Sequence, residues 1–564
     1  MLGGLLERAV PAVGWLRGYR RADLAGDLTA GVTVAVMLVP QATAYSMLAG
    51  LPPQTGLYAA TLPLAVYALF GSSRQLAVGP VAMVSLLVAA GCRPLAEAGS
   101  ERYIALAALL ALVVGALQLA MGLLRLGVLV NFVSHAVISG FTSAAAIIIG
   151  LSQAKHLLGV DVDGGESFPR LVRALVAAIP KTHGDTLILG LACIAALVIL
   201  SKAAPRIPAA LAVCAASILA AWLLGLDGRG VRMVGHVPQG LPPLSLPETE
   251  WAVMIDLLPT ALTISLVGFM ESVAVVKFIA ARERQKVEPS QELIGLGLAN
   301  AAAAVCGGYP VTGGLSRTAV NYRAGARTGL AGLISAALVL ATIVFLTPVF
   351  RHLPKVALAA IVMVAVTSLF DAREPARLFR VRPRDGHVLV LTFAATLGLG
   401  IEPGLLLGVG LSLAQFIWRS AHPHMAELGL VEGGVFRNLD RYPEAQTFEH
   451  CLILRVDASL YFANMAFVDS RVREAIAARP GLRWIVLDLS AVNDIDAVGV
   501  HMLEDLFSDG AALGIRILLA GMKGPVRDVV SRVQWDPRFA PDLLHPSVAH
   551  ALVAAGLLDR SSTP

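Results

Sequence analysis

The sequence predicts a polytopic α-helical membrane protein that ends in a small soluble α/β module. Three observations carry this. Of 564 residues, 56% are hydrophobic and 15% charged, with a mean hydropathy of +0.73, outside the range of an ordinary soluble protein. The run from Leu28 to Ser73 holds 46 residues without a charged side chain, enough for two spans. After Trp418 the uncharged runs stop and short alternating strand and helix patterns begin. The net charge of +5 falls in loops between apolar tracts, with no basic-aromatic surface motif, so nucleic acid is not an expected partner. Five cysteines, Cys92, Cys193, Cys214, Cys306 and Cys451, lack disulfide or metal spacing.

Taken in order, residues 1–22 form an N-terminal segment with Arg8, Arg17, Arg20 and Arg21, and residues 23–420 form the membrane part. The first two spans share Leu28–Ser73, with a break at Leu51-Pro52-Pro53-Gln54 and an interruption of the first span at Pro40 and Gln41. Gln75–Cys92 is too short for a full span and contains Val78-Gly79-Pro80, which predicts a half-helix. Further segments are expected at Tyr103–Leu123, Val128–Leu151, Thr186–Leu200, Pro208–Leu226, Leu257–Ala280, Glu292–Cys306, Thr312–Tyr322, Thr328–Phe350, Leu353–Phe370, His387–Leu399 and Pro403–Trp418, fourteen in all. The short third and tenth segments lie seven apart, and both open on a Gly/Pro-containing stretch. An odd number of spans per half inverts one half against the other, so two broken helices can aim their N-termini at one midplane site.

Loop charges set the expected orientation. Arg125; Lys202 and Arg206; Arg282, Arg284 and Lys286; Arg323 and Arg327; and Arg373, Arg377, Arg380, Arg382 and Arg384 fall on one side. Loops with Asp161, Asp163, Glu166, Arg170, Arg173 and Lys181, or with Asp227, Arg229, Arg232, Glu248 and Glu250, fall on the other. The positive-inside rule then places both chain ends in the cytoplasm. Residues 421–447 read as a linker and entering strand, 448–557 as the soluble module and 558–564 as a tail. Within the module, Cys451–Val456, Trp484–Leu489 and Ile515–Ala520 read as strands, and Asn464–Ala478 and Val498–Phe507 as helices.

The chemistry centres on residues 307–321, GGYPVTGGLSRTAVN. This glycine-rich stretch turns into a short helix whose first N–H groups have no helical partner and favour an anion. Arg317 follows that start, where five guanidinium donors suit an oxyanion; the alternative is a structural ion pair or a side chain reaching the membrane edge. Glu271, flanked by apolar residues, must pair or take up a proton at that depth. Proton uptake would offset the charge of an entering anion, whereas a fixed pair with Arg317 or Lys277 would be structural. Gln41, Tyr45, Ser316 and Thr318 supply neutral hydrogen-bonding groups near the breaks. His135 reads as a packing histidine. Asp488, Asp494 and Asp496 read as turn and capping residues, since no phosphate loop or metal cluster accompanies them. Nucleophile elbows, Walker loops, dinucleotide fingerprints and zinc-hydrolase spacings are missing, which argues against an enzyme or an ATP-driven pump and for no cofactor and no metal.

Four stretches together resemble the sulfate permease (SulP) family of anion transporters: DLTAGVTVAVMLVPQATAYSMLAGLPPQTGLYAA at 27–60, GSSRQLAVGPVA at 71–82, GFMESVAVVKFIA at 268–280 and NAAAAVCGGYPVTGGLSRTAVNYRAGARTGLAG at 300–332. The resemblance implies fourteen transmembrane segments in a seven-plus-seven inverted repeat with core and gate domains, and an anion held between the N-termini of segments three and ten. By position it implies substrate contacts at Gln41, Tyr45, Val78, Ala82, Gly314, Leu315, Ser316 and Arg317, and proton coupling at Glu271. IVLDLSAVNDIDAVGVHMLEDL at 485–506 is similar to a STAS domain. Asp496-Ala497-Val498-Gly499 lacks the hydroxyls of the phosphorylatable turn in bacterial relatives. A homodimer in the cell inner (plasma) membrane, with N-terminus and STAS domain cytoplasmic, is the family expectation. The function this implies is secondary active uptake of sulfate or a related small oxyanion by proton symport with alternating access. Sodium-coupled bicarbonate transport, dicarboxylate transport, a passive anion channel and a membrane sensor are the alternatives.

Overall fold

A computed structural model describes residues 10–128, 134–162, 168–204, 208–283 and 286–559. Arg8, Asp163, Glu166, Arg206, Arg284 and the last residues of the expected tail lie outside the described residues. The chain divides into two compact units, 1–412 and 413–564.

The first unit is helical. Its elements are α1 (Ala12–Arg17), α2 (Arg21–Leu48), α3 (Pro53–Tyr58), α4 (Leu62–Phe70), β1 (Val78–Gly79), α5 (Ala82–Cys92), α6 (Glu101–Leu123), α7 (His135–Leu158), α8 (Phe168–Ala178), α9 (Gly184–Ala203), α10 (Ala209–Leu224), α11 (Trp251–Glu283), α12 (Pro289–Val305), β2 (Thr312–Gly313), α13 (Leu315–Arg323), α14 (Leu330–Phe345), α15 (Lys355–Val366), α16 (Glu374–Val381), α17 (Pro383–Leu399) and α18 (Ile401–Ala421), whose last turns belong to the second unit. Among the described residues, seven helical stretches are long and apolar enough to cross a bilayer unaided, and the other apolar helices are shorter. The hydropathy count of fourteen is therefore not a count of continuous helices.

Packing sorts these helices into two bundles. In the first, α12 lies against α6 and α4, α14 against α2 and α4, and α11 against α5 and α6, with α13 against α2. In the second, α7 lies against α15 and α17, and α9 against α7, α10 and α15. Small residues set the approach, as at Gly56, where a Cβ would fall 2.0 Å from Ala42 O. The bundles meet where α2 touches α10 and α15, and where α5 touches α7.

Three expectations are corrected. The first span starts at Arg21, not Leu28, and runs unbroken through Pro40 for 28 residues. It can include Asp27, fully buried, because that carboxylate accepts Arg327 N–H at 2.7 Å, Thr328 N–H at 3.0 Å and the Thr328 hydroxyl at 2.6 Å. The second span is two helices, α3 and α4. The fifth span, α7, starts at His135, seven residues later than Val128, so His135 is an exposed first-turn residue with Nε2 3.4 Å from Glu374 and not a packing histidine.

The second unit contains β3 (Met425–Val431), β4 (Val435–Asn438), β5 (Cys451–Val456), α19 (Met465–Ala477), β6 (Trp484–Asp488), α20 (Ala497–Ala512), β7 (Arg516–Ala520), α21 (Gly524–Val530) and α22 (Val548–Ala554). Strand order is β4-β3-β5-β6-β7, with β5, β6 and β7 parallel and β3 antiparallel to both neighbours. The segment expected to be a linker and an entering strand supplies two strands, a hairpin that extends the sheet. The cysteines are free and buried, and burial pushes the Cys451 thiol up to about 12.

Candidate functional site

The two glycine-rich stretches that lead into the half-helices meet. Val78 pairs with Gly313 and Gly79 with Thr312 in an antiparallel two-stranded ribbon, extended by Gly314 N–H donating to Ala77 O at 3.1 Å. Because the strands run in opposite directions, α5 and α13, starting two or three residues beyond the pairing, leave the ribbon on opposite sides with their N-termini turned toward each other. Neither helix has a side-chain cap. The first helical bonds are Ser85 N–H to Val81 O and Thr318 N–H to Gly314 O, so the N–H groups of residues 82–84 and 315–317 have no helical partner.

Arg317 ties the start of α13 to the stretch leading into α5. It is 2% exposed, and its Nη1 donates to Pro80 O at 2.7 Å and Nη2 to Ala77 O at 3.4 Å, while Nε has no partner among the described residues. A Cβ on Gly314 would lie 2.9 Å from Arg317 Nη2, so a larger residue there would push the guanidinium out of its place. Thr318, also buried, accepts Ala77 N–H at 3.1 Å, and Asn321 Nδ2 donates to Gln75 O at 2.8 Å.

Other sequence-nominated residues approach from two helices. On α2, Leu38 packs beside Gly79, and Gln41 and Tyr45 follow on the same face, 9% and 7% exposed, with no side-chain hydrogen bond among the described residues. Tyr45 lies within electrostatic range of Arg317 and Glu271. Val78 and Ala82 are buried at the start of α5, whereas Leu315 and Ser316 are exposed at the start of α13. Glu271, on α11, is half-buried and within electrostatic range of Arg317, yet forms no ion pair with Arg317 or Lys277 among the described residues. The neighbouring Ser272 is committed to the ribbon: its Oγ accepts Gly313 N–H at 3.0 Å and lies 2.9 Å from Thr312 Oγ1.

Sequence reasoning missed three supports. Asn300 is fully buried on α12, where Oδ1 accepts Val311 N–H at 2.8 Å and Nδ2 donates to Val311 O and Gln118 Oε1. Tyr309, also fully buried, has its hydroxyl 3.1 Å from Ser85 Oγ and lies within electrostatic range of Arg317. Glu292 accepts the Tyr67 and Ser72 hydroxyls at 2.6 and 2.5 Å and so fixes the approach to β1. The signal for Asn300 is a polar residue amid the alanines of 299–304.

In the second unit, Asp496 caps α20, accepting Gly499 N–H at 2.7 Å and Phe462 N–H at 2.9 Å, and Asp488 accepts Ser490 N–H at 3.0 Å. Among the described residues no group of three His, Cys, Asp or Glu side chains could hold a metal ion.

Paired broken helices that face each other across a buried arginine, beside a helical bundle of a different packing group, define a multi-pass membrane transporter of the inverted-repeat class. The Sulfate permease family model matches residues 24–392 and the STAS domain model residues 442–551. The chain belongs to the sulfate permease family and carries a STAS domain, and its relatives are transporters, not enzymes. It is 41% identical over 545 residues to sulfate transporter 4.1, chloroplastic, of Arabidopsis thaliana, covering 93% of this chain and 79% of the relative. It is 32% identical over 578 residues to sulfate transporter 1.3 of the same plant, covering 98% and 88%. In fold it is similar to the murine Solute Carrier 26 family member A9 anion transporter in the inward-facing state, with a TM-score of 0.91, 24% identity and 98% and 95% of the two chains covered. The transmembrane domain of the cyanobacterial bicarbonate transporter BicA aligns at TM-score 0.61 with 24% identity, covering 70% of this chain and 98% of that one.

Proposed function

We propose that this anion transporter takes up sulfate or a related small oxyanion together with a proton, by alternating access of one site to the two sides of the membrane. The observation that carries the reading is the pair of uncapped helix N-termini facing each other across the β1–β2 ribbon, with Arg317 beneath them. Free N–H groups and the positive ends of two helix dipoles attract an anion without requiring a flexible side chain. Arg317, with no carboxylate partner among the described residues, adds a full positive charge. Gly314, Leu315 and Ser316 on one side and Val78 and Ala82 on the other would line the anion, with Gln41 and Tyr45 closing it from α2.

Glu271 is the proton carrier in this reading. A carboxylate that shares the field of Arg317 without pairing to it can alternate between protonated and ionised forms as the anion arrives and leaves. Sodium coupling is less well supported, because the hydroxyl of Ser272, next to Glu271 in the sequence, and that of its partner Thr312 already hold the ribbon. The names of the curated relatives favour sulfate over bicarbonate and dicarboxylates. The protein would sit in the cell inner membrane as a homodimer, with residues 1–22, the linker at 421–447 and the STAS domain at 448–557 in the cytoplasm.

The test is labelled sulfate uptake in pH-clamped proteoliposomes, competed by bicarbonate, chloride, oxalate and fumarate. Glu271→Gln is expected to abolish accumulation driven by an inward proton gradient while sulfate exchange persists. Equal loss of exchange in a folded variant would make Glu271 structural, and gradient-driven uptake that follows sodium instead of pH would overturn proton coupling.

A further inference from the structure

Between α15 and α17, on the face that the positive-inside rule turns toward the cytoplasm, lies a short basic helix that the transport site does not use. Residues 371–385 hold five arginines, Arg373, Arg377, Arg380, Arg382 and Arg384, against three carboxylates, Asp371, Glu374 and Asp385. One side of α16 is fixed to the second bundle. Glu374, buried in the first turn, lies 3.4 Å from His135 Nε2 at the start of α7, and Leu378, one turn on, packs against the apolar core of the membrane unit. The Phe379 ring meets His387 of α17 edge to face, with centroids 5.3 Å apart.

The other side of the helix carries charge. Arg373, Arg377 and Arg380, spaced by four and three, share that side and are all exposed. The three carboxylates do not neutralise it. Asp371 Oδ1 accepts the Arg373 and Glu374 N–H groups at 2.9 and 3.3 Å, Glu374 Oε2 lies 3.6 Å from Arg377 Nη1, and Asp385 is engaged as well. The side chains of Arg373, Arg380, Arg382 and Arg384 form no hydrogen bond or ion pair among the described residues. Apolar side chains stand in the open beside them: Phe370 is 47% exposed and Val381 75%. The positive-inside rule accounts for arginines in this connection, but not for three of them on one helix side next to exposed apolar groups. A basic amphipathic helix of this pattern lies in the plane of a membrane surface, with its apolar groups entering the acyl boundary and its guanidinium groups at the level of the phosphates.

We infer that residues 370–384 form a membrane-surface anchor in which Arg373, Arg377 and Arg380 hold the phosphates of anionic phospholipids in the adjoining leaflet. A guanidinium suits this partner, because two of its N–H groups reach two oxygens of one phosphate and neighbouring headgroups present such phosphates side by side. The seating of α16 on α7 and α17 makes the second bundle the anchored one. If the alternating-access reading holds, the first bundle, which carries the transport site, moves against that fixed frame. The lipid contact itself does not depend on that reading.

The experiment is an arginine footprint of the full chain in nanodiscs, with phenylglyoxal as the reagent and mass spectrometry as the readout. Discs of phosphatidylcholine are compared with discs in which phosphatidylglycerol replaces part of it, and exposed Arg437 of β4 serves as the reference. Arg373, Arg377 and Arg380 are expected to react about fivefold more slowly in the phosphatidylglycerol discs, with Arg437 unchanged. A third arm adds inorganic phosphate to phosphatidylcholine discs, and protection there equal to the lipid effect would make the ligand a free ion and overturn the anchor. Arg373→Gln combined with Arg380→Gln removes two guanidinium groups that have no intramolecular partner among the described residues. In that chain the phosphatidylglycerol fraction that half-protects Arg377 is expected to rise about fivefold or more. Equal reactivity in the two lipid compositions, or a doubly substituted chain protected by as little phosphatidylglycerol as the unaltered one, would also overturn the inference. No readout requires transport, so a failure of the uptake reading leaves it standing.

Discussion

An arginine with 2% of its surface exposed and no acidic partner among the described residues has to be held by neutral oxygens, and Arg317 is held by two carbonyls just before the opposite half-helix. This makes it both a charge and a brace. Lysine would keep the charge but cannot reach Pro80 O and Ala77 O in the fixed geometry of a guanidinium. Losing one charge-assisted hydrogen bond costs about 1.5–3 kcal/mol, so Arg317→Lys is expected to lower sulfate transport roughly tenfold to a hundredfold. Transport kinetics measured beside a thermal unfolding curve check this, since undiminished transport would show that the brace is dispensable. That Arg317 needs partners was legible in the sequence, because a charge between apolar tracts must be satisfied. Its partners were not, because Pro80 and Ala77 are 237 and 240 positions away and carbonyl acceptors leave no residue-type signature. Asp27 shows the converse: a carboxylate looks wrong inside a membrane helix, so charge alone starts the first span after it, and its partners lie 300 residues on.

At the scale of elements, the half-helices were readable from the Gly/Pro stretches that open them, whereas the pairing of β1 with β2 was not. A two-residue strand has no alternation to detect. Pro40 misled in the opposite sense: its missing N–H removes one helical bond, but the neighbouring bonds and packing carry α2 through. What keeps the short ribbon in place is a set of buried polar side chains on continuous helices, Asn300 from α12 and Ser272 from α11. Asn300→Ala would leave Val311 N–H and O and Gln118 Oε1 without their buried partner. Each unpaired group costs about 1–3 kcal/mol, so the loss of all three is expected to lower stability by about 3 kcal/mol or more and to weaken sulfate binding by loosening β2. Thermal unfolding together with sulfate titration measures both, and a stable variant with normal binding would mean that the ribbon needs no support from α12.

At the scale of the whole molecule, the two compact units have separate apolar interiors. One cluster is built around Leu38, Leu87, Leu110 and Ile149, while two others lie on the faces of the STAS sheet around Leu487 and Val486. Separate cores mean that each unit can fold by its own burial of apolar surface. The residues nominated for the anion and the proton, from Gln41 to Arg317, all belong to the first unit. The STAS turn that could have carried a phosphoryl switch has no hydroxyl at Ala497 or Val498, and Asp496 is occupied in capping α20. Removal of residues 425–564 is therefore expected to leave a folded membrane unit that still moves sulfate, with reduced rate or yield. Proteoliposome flux and a thermal transition of the truncated chain measure the two outcomes independently. If the truncated chain unfolds with the transition of the full protein yet shows no flux under any gradient, the membrane unit is not a transporter by itself, and the reading of a sensor that acts through its STAS tail takes precedence.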